Sequence, residues 1–234
     1  MMTNSASASV YSSLHSPAPA LERLSLKDQA TSLLREYIVK GRLAAGSKLI
    51  ERELAEWLGV SRMPVHDALV QLEKEGLVVS KPDARYVIDL TRQDLYELFQ
   101  VRVVLERLAA ELAAKNNSPE FAAQYEQLQE IMKNAVERRD IEAFIDGHME
   151  IHRTIWRQAR NPHLQKALDS ILGLILMFMA RSEYINWDET LERHGGIIDA
   201  IQQGDPELAG ESMTRHIVQS LNHTMQSFDQ KISA

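Results

Sequence analysis

From Ser25 onward the chain alternates apolar stripes at helical spacing with glycine stops. Ala30, Leu33, Leu34, Tyr37 and Ile38 recur every three or four residues and Gly41 follows, which predicts a first helix and its end. A turn around Gly46 leads to a second, shorter stripe of Leu54, Ala55 and Leu58, closed by Gly59. Ser61 is a good N-cap for a third helix, and Pro64 sits in its first turn, where a missing N–H does no harm. Val65, Ala68, Leu69 and Leu72 are its buried positions, and Gly76 ends it. Leu77–Ser80, then Pro82-Asp83, then Arg85–Ile88 read as a short hairpin. From Thr91 every segment has helical period. Helices are predicted over about 92–115, 119–139, 140–160, 163–184, 188–203 and 206–228, with Asn161-Pro162 and Gly204-Asp205-Pro206 as the sharpest breaks. Six helices with short links make an antiparallel bundle. The fold class is therefore mainly α, with three domains of sequence. A tail covers 1–24, a helix-turn-helix with a two-stranded wing covers 25–90, and a helical bundle covers 91–234.

Composition narrows this without changing it. With 234 residues, 44% of them hydrophobic, the chain can bury a proper core without covalent staples. There is no cysteine, which excludes disulfides, thiolate metal sites and a cysteine nucleophile. The longest apolar run, Ile171–Ala180, is ten residues, about half of a membrane span. The first twenty residues hold no Lys, no Arg and no apolar block, so they do not read as a signal peptide. Rich in Ser, Ala and Pro, residues 1–24 read as a disordered tail. A net charge of −7 taken as a total argues against nucleic acid, but its distribution does not. Residues 25–90 hold ten basic and ten acidic side chains, whereas 91–234 hold 15 basic and 22 acidic ones. The N-terminal third can present a basic face, and the acidic remainder is a poor match for a phosphate backbone.

Pattern alone leaves the N-terminal unit open between DNA binding and protein binding. Specific residues then narrow it. Gly46-Ser-Lys-Leu-Ile-Glu-Arg-Glu-Leu-Ala-Glu-Trp-Leu-Gly-Val-Ser-Arg-Met-Pro-Val-His-Asp-Ala-Leu, then Leu72 and Glu75-Gly-Leu-Val, resemble the winged helix of GntR-type bacterial transcription regulators. Arg102-Val-Val-Leu-Glu106, His152-Arg-Thr-Ile, Arg160-Asn-Pro, His194-Gly-Gly-Ile-Ile-Asp-Ala-Ile, Gly204-Asp205 and Met213-Thr-Arg-His216 resemble the FCD effector domain of the FadR subfamily. The resemblance covers about 25–228 in order. It implies a palindromic double-stranded DNA operator, a homodimer, a bacterial cytoplasmic location, no membrane and no enzymatic activity, with repression commoner than activation. Two departures stand out. His66 occupies a position where the family usually has Arg, and the wing turn Pro82–Arg85 lacks the usual glycine.

A helix whose N-terminus enters the major groove reads bases with its first turns. Ser61 and the first amides suit a phosphate, and Arg62 can fork onto a guanine edge. The resemblance adds Arg52 as a base reader and Arg35 as a phosphate contact, beside Pro64 of the motif. His66 lies one turn beyond Arg62 and can donate a single bond. Arg85 and Lys81 on the wing can follow the backbone or the minor groove.

The chain has eight histidines. His148 and His152 are four apart on one predicted helix, one turn apart on the same side. His194 lies ten residues before Gly204 and His216 eleven after Asp205, so a hairpin hinged there sets them level. This spacing allows four imidazoles to meet in the bundle core, and it equally allows four unconnected polar-face histidines. The resemblance favours the first. Metal-binding FCD domains place three His and usually one Asp at these positions, the Asp where His148 stands, while Asp146 lies on the wrong side of the helix to substitute. It implies a divalent metal held by His148, His152, His194 and His216. An all-nitrogen set points to zinc first, with nickel or copper as alternatives to the harder manganese. His163 and His223 are expected at the surface. The resemblance also places Arg102 over the metal as a clamp for a small carboxylate effector; the plainer reading is a surface ion pair with Glu106. Arg181 and Met177 are further candidates to line that cavity. The Gly204 hairpin and the linker near Ile88–Thr91 are the expected coupling elements.

Overall fold

A computed structural model describes residues 25–179 and 187–232. The N-terminal unit comprises α1 (Leu26–Val39), β1 (Lys48–Leu49), α2 (Glu51–Leu58), α3 (Arg62–Lys74), β2 (Val78–Ser80) and β3 (Arg85–Val87). Ser25 caps α1 by accepting from the Asp28 amide. Gly59 ends α2 in the left-handed region at φ 67°, and that bend permits the short link into α3. Ser61 occupies the N-cap position of α3 with extended backbone, but its hydroxyl makes no capping bond. The wing is also larger than the sequence suggests. The sheet has three strands in the order β1-β3-β2, with Lys48 opposite Tyr86 and Leu49 opposite Arg85. A two-residue strand has no alternation to recognise, and only its partner across the chain makes it one. Leu34, Ile38, Val65, Leu69, Leu72, Leu77 and Val87 close this unit's core.

The second unit is a bundle of six helices: α4 (Arg92–Lys115), α5 (Pro119–Arg138), α6 (Ile141–Gln158), α7 (Pro162–Met179), α8 (Trp187–Gln202) and α9 (Pro206–Ile232). Thr91 and Asp94 form a reciprocal capping box at the start of α4. Asp140 caps α6 through the Ala143 amide. Gly204, at φ 68°, turns the chain between α8 and α9. The α4 helix packs on α6, α7, α8 and α9 and is the axis of the bundle. Its core includes Phe99, Phe144, Ile155, Trp156, Leu168, Ile197, Met213 and Ile217. At Gly147 a Cβ would lie 2.8 Å from Met132 Cγ, so a glycine is what lets α5 and α6 approach beside His148.

One helix belongs to both units. Leu164, Leu168 and Leu172 of α7 lie in the bundle core, whereas Met177 is buried in the core of the winged unit and Leu174 packs against it. Leu77 side-chain carbons come within 3.2 Å of where a Cβ on Gly173 would stand. Lys40 of α1 also donates to Glu142 of α6 at 3.0 Å. The sequence-based placement of Met177 in the effector cavity is thus corrected: the side chain turns the other way, because the apolar surface α7 meets at that turn is the winged unit. Arg181 lies outside the described residues.

Candidate metal centre and nucleic-acid interface

The α6, α8 and α9 helices bring four histidines together. His148, His152, His194 and His216 are all buried, and each offers a ring nitrogen, the four lying within 4.8 Å of one another. Burial pushes the His148 and His216 rings well below their ordinary pKa and that of His194 down to about 3, with the crowding of the other rings and of nearby arginines adding to the effect. These rings are neutral and present lone pairs. Two rings of the cluster, His152 and His194, are held through Nδ1. His152 Nδ1 donates to Glu106 Oε2 at 3.1 Å, and His194 Nδ1 donates to the Thr190 carbonyl at 2.6 Å. That leaves Nε2 of both rings as the free lone pair, the arrangement in which a carboxylate or carbonyl behind a ligand sets its tautomer. His152 Nε2 lies 3.3 Å from His216 Nε2. Two nitrogens on a tetrahedral zinc at its usual bond length stand about 3.3 Å apart. His194 Nε2, His216 Nδ1 and His148 Nδ1 are buried with no hydrogen-bond partner. Donor set, spacing and unsatisfied nitrogens all fit a divalent metal.

Glu106 of α4 underlies this cluster, a role that sequence reasoning missed. Its carboxylate accepts from Trp156 Nε1 at 2.8 Å, from His152 and from Arg102 Nε at 3.3 Å. Burial alone would push this carboxyl up, but His152, Arg102 and Trp156 outweigh it and hold the group at about 2. The i, i+4 pairing of Arg102 and Glu106 was legible. Its depth was not, because both side chains are 0% exposed and the reading of a surface ion pair is corrected. Burial pulls the Arg102 guanidinium below its ordinary pKa, opposed by Glu106. Arg102 Nη1 and Nη2 have no partner among the described residues. A buried cation with two unsatisfied donors, beside neutral imidazoles and a saturated acid, is an anion-binding arrangement. Asp146 is not part of the cluster, His163 is exposed and His223 is half-buried.

The second site lies between wing and helix-turn-helix. An open groove of about 580 Å³ is lined by Arg52, Arg62, Lys48, Lys81 and Arg85, with Glu51 and Asp83. Its cations are not equivalent. Arg85 Nη1 donates to Glu51 Oε1 at 2.7 Å, and His66 Nδ1 donates to the same oxygen at 2.9 Å. Lys48 donates to Asp83, and Lys81 sits 4.6 Å above the Tyr86 ring. Arg52 and Arg62 are exposed and carry no ion pair among the described residues. Arg35, by contrast, is outside this groove, donating through Nε and Nη2 to both oxygens of Glu75 at 2.8 Å. Ser61 is exposed at the head of α3, and Pro64 is half-buried in its first turn.

Residues 26–88 match the model for bacterial regulatory proteins of the gntR family, and residues 97–219 match the FCD domain. A protein of Paenarthrobacter nicotinovorans described as "Probable D-xylose utilization operon transcriptional repressor" is 34% identical over 210 residues, 88% of this chain and 92% of that one. The gluconate operon transcriptional repressor of Bacillus licheniformis is 26% identical over 204 residues, 84% of each chain. Among solved structures, E. coli McbR/YncC aligns with a TM-score of 0.77 at 26% identity, covering 88% of this chain and 100% of that one. The two matched domains, in the order in which the winged unit and the bundle follow each other, identify the chain as a member of the GntR family of bacterial regulatory proteins that carries an FCD domain, a DNA-binding transcription regulator.

Proposed function

We propose that this regulator is a homodimeric repressor whose grip on a palindromic operator is set by a small organic acid bound in the bundle. The observation that carries the reading is the fully buried Arg102 guanidinium, with two unsatisfied nitrogens, coupled through Glu106 to a four-histidine cluster. His148, His152, His194 and His216 would hold a divalent metal, zinc first. Such an ion supplies a Lewis-acid seat for one ligand oxygen. Arg102 offers the fork for a carboxylate, and burial strengthens that bond by excluding water. Two relatives are named for D-xylose and gluconate operons, so sugar acids are the first class to test.

On the DNA side, Arg62 and Arg52 read base edges, the Ser61 hydroxyl and the α3 amides take a phosphate, and α3 lies in the major groove. Arg35, His66 and Arg85 each commit ring or guanidinium nitrogens to a carboxylate and reach DNA either with the nitrogen left over or by exchanging that partner. Two copies would meet through α4. Val101, Val104 and Leu108 are exposed on it, Val104 by 66%, and fall within about 60° of the helix circumference. The α7 helix, shared by both cores, transmits the state of the bundle to the winged unit.

The deciding experiment is elemental analysis of tag-free protein, wild type and His194→Ala, before and after dialysis against zinc. About one zinc or nickel per chain, lost in the variant, is expected. A wild type that stays metal-free after dialysis would sink the metal centre and leave Arg102 alone to hold an acid. Binding to duplex DNA that lacks a steep salt dependence would sink the operator reading and favour a metal-storage or protein-binding role.

A further inference from the structure

The α3 helix carries one feature that cation-based reading does not use. Met63 is 65% exposed, and among the described residues of α3 it is the one large apolar side chain left in solvent. The buried stripe of α3 is Val65, Ala68, Leu69 and Leu72. At about 100° per residue, Met63 points roughly 170° from the middle of that stripe, straight away from the core. Packing therefore does not explain it. Its neighbours on the outer face are constrained: His66 is tied to Glu51, and Arg85 from the wing is tied to the same oxygen. What remains free to reach outward from the first turn is Ser61, Arg62 and Met63.

We infer that Met63 reads the 5-methyl group of a thymine in each operator half-site, next to the base contacted by Arg62. An apolar side chain offers a base edge no hydrogen bond. In the major groove the thymine methyl is the apolar group it can cover, which distinguishes thymine from cytosine at that position. Met is suited to this, being unbranched, polarizable and able to fit an irregular surface. The braced pair of His66 and Arg85 makes the inference sharper. With Arg85 Nη1 and His66 Nδ1 engaged by Glu51, the side chains left wholly free at the first turn of α3 are Ser61, Arg62 and Met63, and the base next to that contacted by Arg62 is selected by apolar contact.

The inference rests on α3 lying in the major groove, and the test separates the two. Duplexes selected from a random pool by the full-length protein define the half-site. Each thymine in it is then replaced by deoxyuridine, which removes the methyl and nothing else. For the wild type, one thymine per half-site should show a loss of about fourfold in affinity, the worth of one buried methyl. Met63→Ala should lose affinity for the thymine duplex by at least that factor and become indifferent to the replacement. Because Met63 is exposed, the variant should melt with the wild type. The inference is overturned if the deoxyuridine penalty is the same in both proteins, or if the selected half-site holds no thymine that responds. If no sequence is selected at all, the major-groove reading falls with it.

Discussion

Glu106 has two oxygens and takes three donors, from Arg102, His152 and Trp156. This one buried carboxylate links the cation expected to bind an acid with a ring expected to bind metal. It orients His152 so that Nε2 faces the other histidines, and it offsets part of the charge of Arg102. Glu106→Gln keeps the shape, removes the charge and offers an amide N–H₂ where an acceptor is needed. Zinc affinity should fall about ten- to a hundredfold, as for other groups that orient a ligand from behind. Competition with a chromophoric chelator measures it; an unchanged affinity would show that Glu106 serves the core alone. Trp156→Phe removes one donor and should cost about 1.5–3 kcal/mol of stability, read from urea unfolding.

Among the elements, the wing shows how a short sheet is held by side chains instead of length. Asp83 at the β2–β3 turn accepts from the Lys48 ammonium at 2.9 Å and from the Tyr86 hydroxyl at 2.7 Å. Those two groups, Lys48 foremost, hold its carboxyl at about 2, below the ordinary 3.8. A carboxyl depressed on folding contributes stability that is present above its unfolded value and lost as pH falls through the folded one. The wing should therefore stay ordered at pH 4 and loosen as pH drops toward 2. In Asp83→Asn that step should vanish. The Tyr86 ring resonances in NMR follow it directly, and a wild-type ring insensitive to pH over that window would refute the link. In the bundle, Gly147→Ala should cost about 1–3 kcal/mol by overpacking against Met132, with urea unfolding as the check.

For the whole molecule, α7 is packed into both cores and is the proposed route of coupling between the two units. Met177 contributes to the winged core while Leu168, about two and a half turns earlier in the helix, contributes to the bundle core. A shift of α7 in one unit is therefore felt in the other, since packed cores transmit displacement instead of absorbing it. Met177→Ala should cost about 2–5 kcal/mol. More tellingly, it should weaken the effect of zinc and acid on DNA affinity while leaving zinc binding intact. Fluorescence anisotropy with and without zinc distinguishes this; a full response in the variant would move the coupling to the Ile88–Thr91 linker. Val104→Glu should turn a dimer into a monomer in sedimentation velocity, and a dimer that persists would place the interface elsewhere.

Local signals were sufficient for the order of helices, because capping residues, glycine stops and apolar periodicity each act within a few residues. Ser25, Thr91, Asp140 and Gly204 fall where their chemistry requires them, and the spacing of His148 and His152 already placed two rings on one side of a helix. The positions of His194 and His216 about Gly204 allowed a shared site but did not require one. What the sequence alone could not decide depends on distant segments meeting. Strand β1 exists through pairing with β3, almost forty residues later. Whether Arg102 and Glu106 are a surface pair or a buried one depends on the helices that cover α4. Whether Met177 faces the cavity or the winged core depends on which apolar surface α7 meets. Periodicity tells which face of a helix is apolar; only tertiary packing tells what that face touches, because the hydrophobic effect is non-directional and accepts any apolar partner that shape allows.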